Sequence, residues 1–268
     1  MKWLDFRVFL PCLMLALMTG CGNKATRPPK VERQIAPEYR FRDSAQTKSR
    51  IDFRQNLERA AQNLSIGQLD DAERNVRAAL RIDPRSADAY TMQAIIDGRR
   101  GDNNAAGENY RRAADLEPKR GEVLNNYGAW LCSNGYPAEA LVWFDRALND
   151  PNYSTPAAAL ANAGGCALET GQYDRVESNL RQALDLEPSN AYALMSMAKD
   201  EYRLQRYFQA RAFIERRISA APVNPSVLQL AIQIEEKLGD GTAANRYRQR
   251  LRAEFPEAAA VNSESNPS

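Results

Sequence analysis

Residues 53–84, FRQNLERAAQNLSIGQLDDAERNVRAALRIDP, and residues 87–118, ADAYTMQAIIDGRRGDNNAAGENYRRAADLEP, fall into register without a gap when one is laid over the other. Ala60 and Ala94 coincide at position 8, Gly67 and Gly101 at 15, Ala72 and Ala106 at 20, Ala79 and Ala113 at 27, and Pro84 and Pro118 at 32. The step is 34 residues. Working outward, glycines at 135, 171 and 239 and prolines at 188, 222 and 256 keep to it, and Pro151 stands one residue short of its place. Six blocks result, starting at 53, 87, 121, 157, 191 and 225, with two extra residues between the third and the fourth. Self-similarity at a fixed period of this length means a stack of one supersecondary unit.

Each recurring residue has a physical task. Small residues at positions 8 and 20 let two helices of a unit cross closely. The alanine at 27 admits the next unit, and position 24 (Phe144 and Leu180 in the third and fourth blocks) fills the space between. Glycine at 15 makes the turn, and proline at 32 stops the second helix. This is the pattern of a tetratricopeptide array, so the expected fold is all-α, a superhelix of six helix-turn-helix repeats. Departures gather late. Gln205 replaces the turn glycine, Ile232 the small residue at position 8, and Arg217 and Leu251 the alanine at 27. The fifth and sixth repeats are accordingly read as the least regular, as capping regions often are.

Stacked helix pairs leave a concave face lined by first helices, suited to a peptide or helix from another protein. Positions 2, 5, 9, 12 and 13 of this architecture face it. They nominate Leu57 and Leu64 in the first repeat, Ile95 in the second, Asn125 in the third and Leu168 in the fourth, then Tyr192, Met195, Lys199, Tyr202 and Arg203 in the fifth. Apolar and aromatic anchors with few charges point to an apolar strand or helix as the ligand. The same positions also serve as packed core in many repeats. Asn125 and Asn126 stand without the lysines that chaperone-binding arrays use to clamp a carboxylate, which disfavours that ligand.

Composition narrows the chemistry. The 268 residues contain no histidine, and the net charge is only +2. Histidine triads and histidine-ligated metals are excluded, and nothing provides the basic field that draws proteins onto nucleic acid. No Gly-rich phosphate loop or G-x-S-x-G elbow occurs. The expectation is a non-enzymatic protein with no catalytic residue, metal or other cofactor, no small-molecule substrate and no nucleic acid. It is expected to be monomeric.

At the amino terminus, Lys2 and Arg7 precede an apolar run from Val8 to Met18, too short to span a bilayer. This is the build of a signal peptide, residues 1–20. Its end, Leu17-Met18-Thr19-Gly20-Cys21, resembles the bacterial lipobox, with methionine where leucine is commoner. The alternative is a plain signal peptide or short anchor. The resemblance implies acylation of Cys21, and Gly22 rather than aspartate after it implies sorting to the outer membrane. Residues 21–52 are read as the lipidated cysteine and a flexible basic tether, either solvated or in weak contact with anionic headgroups. Repeats fill 53–256, and 257–268 form a disordered polar tail.

Cys132 and Cys166 lie in first helices of consecutive repeats, which are neighbours in the stack. An exported protein meets oxidising conditions, so a disulfide is allowed, although two buried thiols are also ordinary. The stretch Leu124-Asn-Asn-Tyr-Gly-Ala-Trp-Leu-Cys132, the run Trp143 to Pro156 and Asn162-Ala-Gly-Gly-Cys166 resemble the type IV pilus biogenesis and stability lipoproteins, the PilF/PilW family. That resemblance implies pairing of Cys132 with Cys166. It also implies a lipid-anchored pilotin on the periplasmic face of the outer membrane, which assists localisation and multimerisation of the secretin ring. Adaptors of other envelope machines, in outer-membrane protein assembly, peptidoglycan synthesis or another secretion system, use the same repeats.

Overall fold

A computed structural model describes residues 44–258. The signal peptide, Cys21, the tether up to residue 43 and the tail from 259 lie outside the described residues. The described chain is α-helical, with twelve principal helices paired as successive hairpins. These are α1 (Ala45–Ser65) with α2 (Leu69–Ile82), α3 (Ala87–Arg99) with α4 (Asn103–Leu116), and α5 (Gly121–Ser133) with α6 (Pro137–Leu148). They continue as α7 (Pro156–Thr170) with α8 (Tyr173–Leu186), α9 (Ala191–Arg203) with α10 (Tyr207–Ala220), and α11 (Pro225–Leu238) with α12 (Gly241–Glu254). Each first helix packs on its own second helix and on the first helices of its neighbours.

The helix starts follow from local chemistry. Side chains of Ser44, Ser86, Asp102, Asn190, Asn224 and Asp240 accept hydrogen bonds from backbone amides three residues on, satisfying donors that a helix start leaves free. Pro137, Pro156 and Pro225 open α6, α7 and α11, where a missing amide proton costs nothing. Five of the six hairpin turns use a glycine with φ between 72° and 89°. In the fifth, Gln205 holds φ 60° without that freedom. Gln205→Gly is therefore expected to stabilise the array by about 0.5–1 kcal/mol. The measurement is the urea midpoint, which should rise at unchanged slope; an unmoved midpoint contradicts it.

The close helix crossing required of position 8 is visible in atomic terms. A Cβ added to Gly128 would lie 2.8 Å from the Phe144 ring, and one added to Gly164 would lie 2.5 Å from Leu180 Cδ2. Positions 8 and 24 are thus lock and filling within one hairpin. Phe144, Leu180, Val76 and Ile214 are all fully buried. The core divides into a large central cluster over α5–α8 with contributions from α3, α4 and α9, and smaller ones at the first two and last two repeats.

Three departures from the expected layout have physical causes. First, α1 begins at Ala45 rather than 53, so the stretch assigned to the tether from 45 to 52 is helix. Ser44 caps it and residues 45–52 include no glycine or proline, but their largely exposed faces leave no apolar stripe to read. Second, the small residue buried in α11 is Ala231, while Ile232 is only half-buried. The turn keeps its frame, with Gly239 at position 15 as Gln205 is in the fifth repeat, so the change is local to α11: the small side chain it buries is the alanine one residue earlier, and the bulkier Ile232 is left half-open. Third, Arg217 in the alanine position is buried with a purpose. Its guanidinium donates to the Ala221 and Pro222 carbonyls at 3.0 and 3.1 Å, where α10 ends without a backbone cap.

The two inserted residues belong to a loop that folds back on the third repeat. Asp150 accepts a hydrogen bond from the Gly121 amide at 2.8 Å, capping α5, whose own N-cap residue Arg120 supplies none. Hydrogen bonds from the Gly121 and Asn152 amides hold the Asp150 carboxyl below the usual carboxylate range. Tyr153 is buried against Gly121, so closely that a Cβ there would stand 2.5 Å from the ring. The hydroxyl of Ser154 completes the clasp on Glu122 at 3.1 Å.

Candidate protein-binding groove

First helices of the third, fourth and fifth repeats meet along one face. The fourth contributes only small side chains at positions 2, 5 and 9, namely Ala158, Ala161 and Gly165. Beside them Cys132 and Cys166 are joined as a disulfide, with Cα atoms 6.0 Å apart. Cys166 is fully buried, whereas Cys132 is partly accessible on the face itself. A cavity of about 110 Å³ opens over the bond, lined by Ala129, Ser133, Asn162, Glu169 and Tyr192 among others.

Tyr192 forms the wall of this floor. Its ring lies so close to α7 that a Cβ on Gly165 would stand 2.4 Å from the hydroxyl oxygen, yet the residue remains 46% exposed. Partial burial, then the nearby Glu169 charge, raise the phenol above its ordinary pKa. The phenol is therefore a neutral donor throughout the physiological range.

The ten residues nominated from the sequence fall into three groups. Tyr192, Lys199 and Arg203 are exposed. Leu57, Ile95, Leu168, Met195 and Tyr202 are half-buried, each with part of the side chain against a core cluster. Leu64 and Asn125 are buried and are not available to a ligand. Leu64 is core to the first two repeats, packed in the cluster with Ile96, and its carbonyl accepts from the Arg99 guanidinium. Asn125 is occupied by a neighbour: its Oδ1 accepts from Asn162 Nδ2 at 3.0 Å, tying α5 to α7 below the floor. Arg203 bonds Asp200 at 2.7 Å and covers the Tyr173 ring at 3.6 Å, while Tyr202 meets Tyr207 edge-on at 5.5 Å. These two thus turn toward the hairpin turn rather than joining Tyr192. Ala129 and Gly165 were not nominated, and the Cys132–Cys166 pairing that the resemblance implied was not placed on this face. The signal that could have found them was small residues at position 9 of the third and fourth repeats, Ala129 and Gly165.

Ion pairs across repeats hold the frame in which this face sits. Arg100 reaches back to Glu73 at 2.9 Å, and Arg120 to Asp88. Hydrogen bonds from Arg100, and after them from Arg77, hold the Glu73 carboxyl below its ordinary pKa. Among the described residues no group of three or more Cys, Asp or Glu side chains is placed to hold a metal ion. No described helix is long and apolar enough to cross a membrane.

No protein-family model matches the chain. The type IV pilus assembly protein PilF of Pseudomonas aeruginosa is 26% identical over 193 residues, 72% of this chain and 77% of that protein. An uncharacterised protein of Haemophilus influenzae is 29% identical over 126 residues, 47% of this chain and 70% of its own. The crystal structure of PilW, described as a widely conserved type IV pilus biogenesis factor, superposes with a TM-score of 0.70 at 29% identity, covering 80% of this chain and 97% of that one. The solved Pseudomonas aeruginosa PilF has the same fold, with a TM-score of 0.70 at 23% identity over 82% of this chain. An array of this kind, shared with pilus proteins, points to protein–protein interaction. The chain is a tetratricopeptide-repeat homologue of the type IV pilus biogenesis proteins PilF and PilW.

Proposed function

We propose that this protein is a non-enzymatic, outer-membrane lipoprotein of type IV pilus biogenesis, a pilotin that binds the secretin and promotes its localisation and multimerisation. Acylated Cys21 anchors it on the periplasmic face of a Gram-negative envelope, and the groove holds an apolar segment of the secretin. Tethering raises the partner's effective concentration at the membrane without further contacts. Twitching motility then depends on it through the pilus. The observation that carries this reading is the floor between α5, α7 and α9. Small side chains let a partner's backbone approach closely, the disulfide makes the floor rigid, and Tyr192 offers an aromatic face with a polar tip.

The test is complementation of a deletion strain. Wild-type protein should restore heat-resistant secretin multimers, seen on unheated gels, in the outer-membrane fraction. Tyr192→Asp should reduce them about tenfold or more, as expected when a charge is forced into an apolar contact. Cys21→Ser should leave a folded protein and a misplaced secretin. Normal multimers in the outer membrane of the deletion strain itself would falsify the proposal.

A further inference from the structure

Violations of local rules cluster at one place outside the groove, the turn between α9 and α10. It has the non-glycine residue with φ 60°, Gln205. α10 starts without a side-chain cap, with Arg206 at its N-cap position, although a helix start favours negative charge. The other second helices each have an acidic residue at the cap or in the first turn, from Asp70 of α2 to Asp240 before α12. The turn also carries Phe208, 73% exposed, with Leu204 at 38%. Tyr173, 46% exposed, joins from the preceding hairpin turn, beneath the Arg203 guanidinium. Such conflicts are retained where function requires them.

We propose that this rim, Leu204 to Phe208 with Tyr173, rests on the surface of a bilayer bearing anionic headgroups. The residue types match an interface, with aromatic and aliphatic side chains for the acyl boundary and arginines for the headgroups. The charge is directional. Lys199, Arg203 and Arg206 are exposed, whereas the segment's carboxylates, Asp200 and Glu201, are 5% and 4% exposed and lie against Arg203 and Arg206 at 2.7 and 3.7 Å. Reach permits it, given the lipid-anchored reading above, on which the proposal rests. The 23 residues from Gly22 to Ser44 span at most about 75–80 Å; the first hairpin turn lies about 30 Å from Ala45 along α1, and the α9–α10 turn, four repeats further along the stack, adds about 40 Å at roughly 10 Å per packed helix. The rim then fixes which way the groove faces beneath the membrane.

A chain beginning at Gly22 retains every residue of the three core clusters and carries no acyl group, so its vesicle binding is independent of whether Cys21 is acylated. It should sediment with phosphatidylglycerol-containing vesicles at low salt, and much less with pure phosphatidylcholine or at high salt. Phe208→Ser should weaken binding about tenfold and Arg206→Ser about fivefold, the latter being the loss of one cation at such a surface. Val142→Ser, at an exposed apolar residue of α6 away from the rim, should change nothing. Absence of sedimentation, or Phe208→Ser binding as tightly as the parent, overturns the proposal. So does a photo-cross-linker at position 208 in intact envelopes that yields protein adducts and no lipid adducts, which would assign the rim to a protein partner. Absence of lipid on Cys21 by acyl labelling would remove the anchoring reading while leaving the vesicle result standing.

Discussion

Serine in place of Cys132 or Cys166 is expected to lower the stability of the array by about 3–4 kcal/mol, the largest effect of any change at the groove. The bond closes a loop of 34 residues, and the entropy of the open loop in the unfolded chain sets this magnitude. Removal also frees the floor, because α5 and α7 are otherwise joined there by the Asn125–Asn162 hydrogen bond and packing. Urea denaturation with and without reductant checks it. Reductant should bring the parent down to the variant's midpoint and leave the variant unmoved, and amide exchange should accelerate first in α5 and α7. Coincident curves for parent and variant under oxidising conditions would contradict the assignment.

Phe144→Ala is expected to cost about 3–5 kcal/mol. The ring is fully buried in the central cluster and fills the space that Gly128 leaves, so truncation creates a cavity between two helices that cannot close further. An array couples only neighbours, so a defect in the third repeat should separate the melting of the first two repeats from that of the last two. Two resolved transitions by calorimetry are the expected record. Val142→Ala, two residues away and 57% exposed, should stay within about 0.5 kcal/mol of the parent. Similar losses at both positions would mean that the burial of Phe144 is not what holds the hairpin.

Much of the architecture was legible because the repeat constrains residues by size. Ala60, Gly128 and Gly164 had to be small wherever a helix crosses its partner, and the turn glycines and stop prolines recur at the same interval. The first turns of α1 were not legible, since a solvated helix with no apolar stripe resembles a polar linker in composition. Groove residues were harder still. Successive residues on a helix point about 100° apart, so Leu64 and Leu57 share a nomination although one is core and the other is half-open. Asn125 was misplaced for another reason: its partner, Asn162, lies 37 residues away, and a side-chain hydrogen bond between repeats leaves no trace in the period.

The clasp of Asp150 and Tyr153 on Gly121 bears on how such a gene can change. Repeat proteins commonly gain and lose whole units, because each contacts only the next. Here the loop that follows the third unit completes the start of that unit, and a covalent bond joins the third to the fourth. Duplication, deletion or recombination with a break between residues 121 and 166 would sever one tie or both. The third and fourth repeats are therefore a single heritable cassette, and chimaeras between homologues should exchange them together, with junctions no later than Pro118 and no earlier than Gly171.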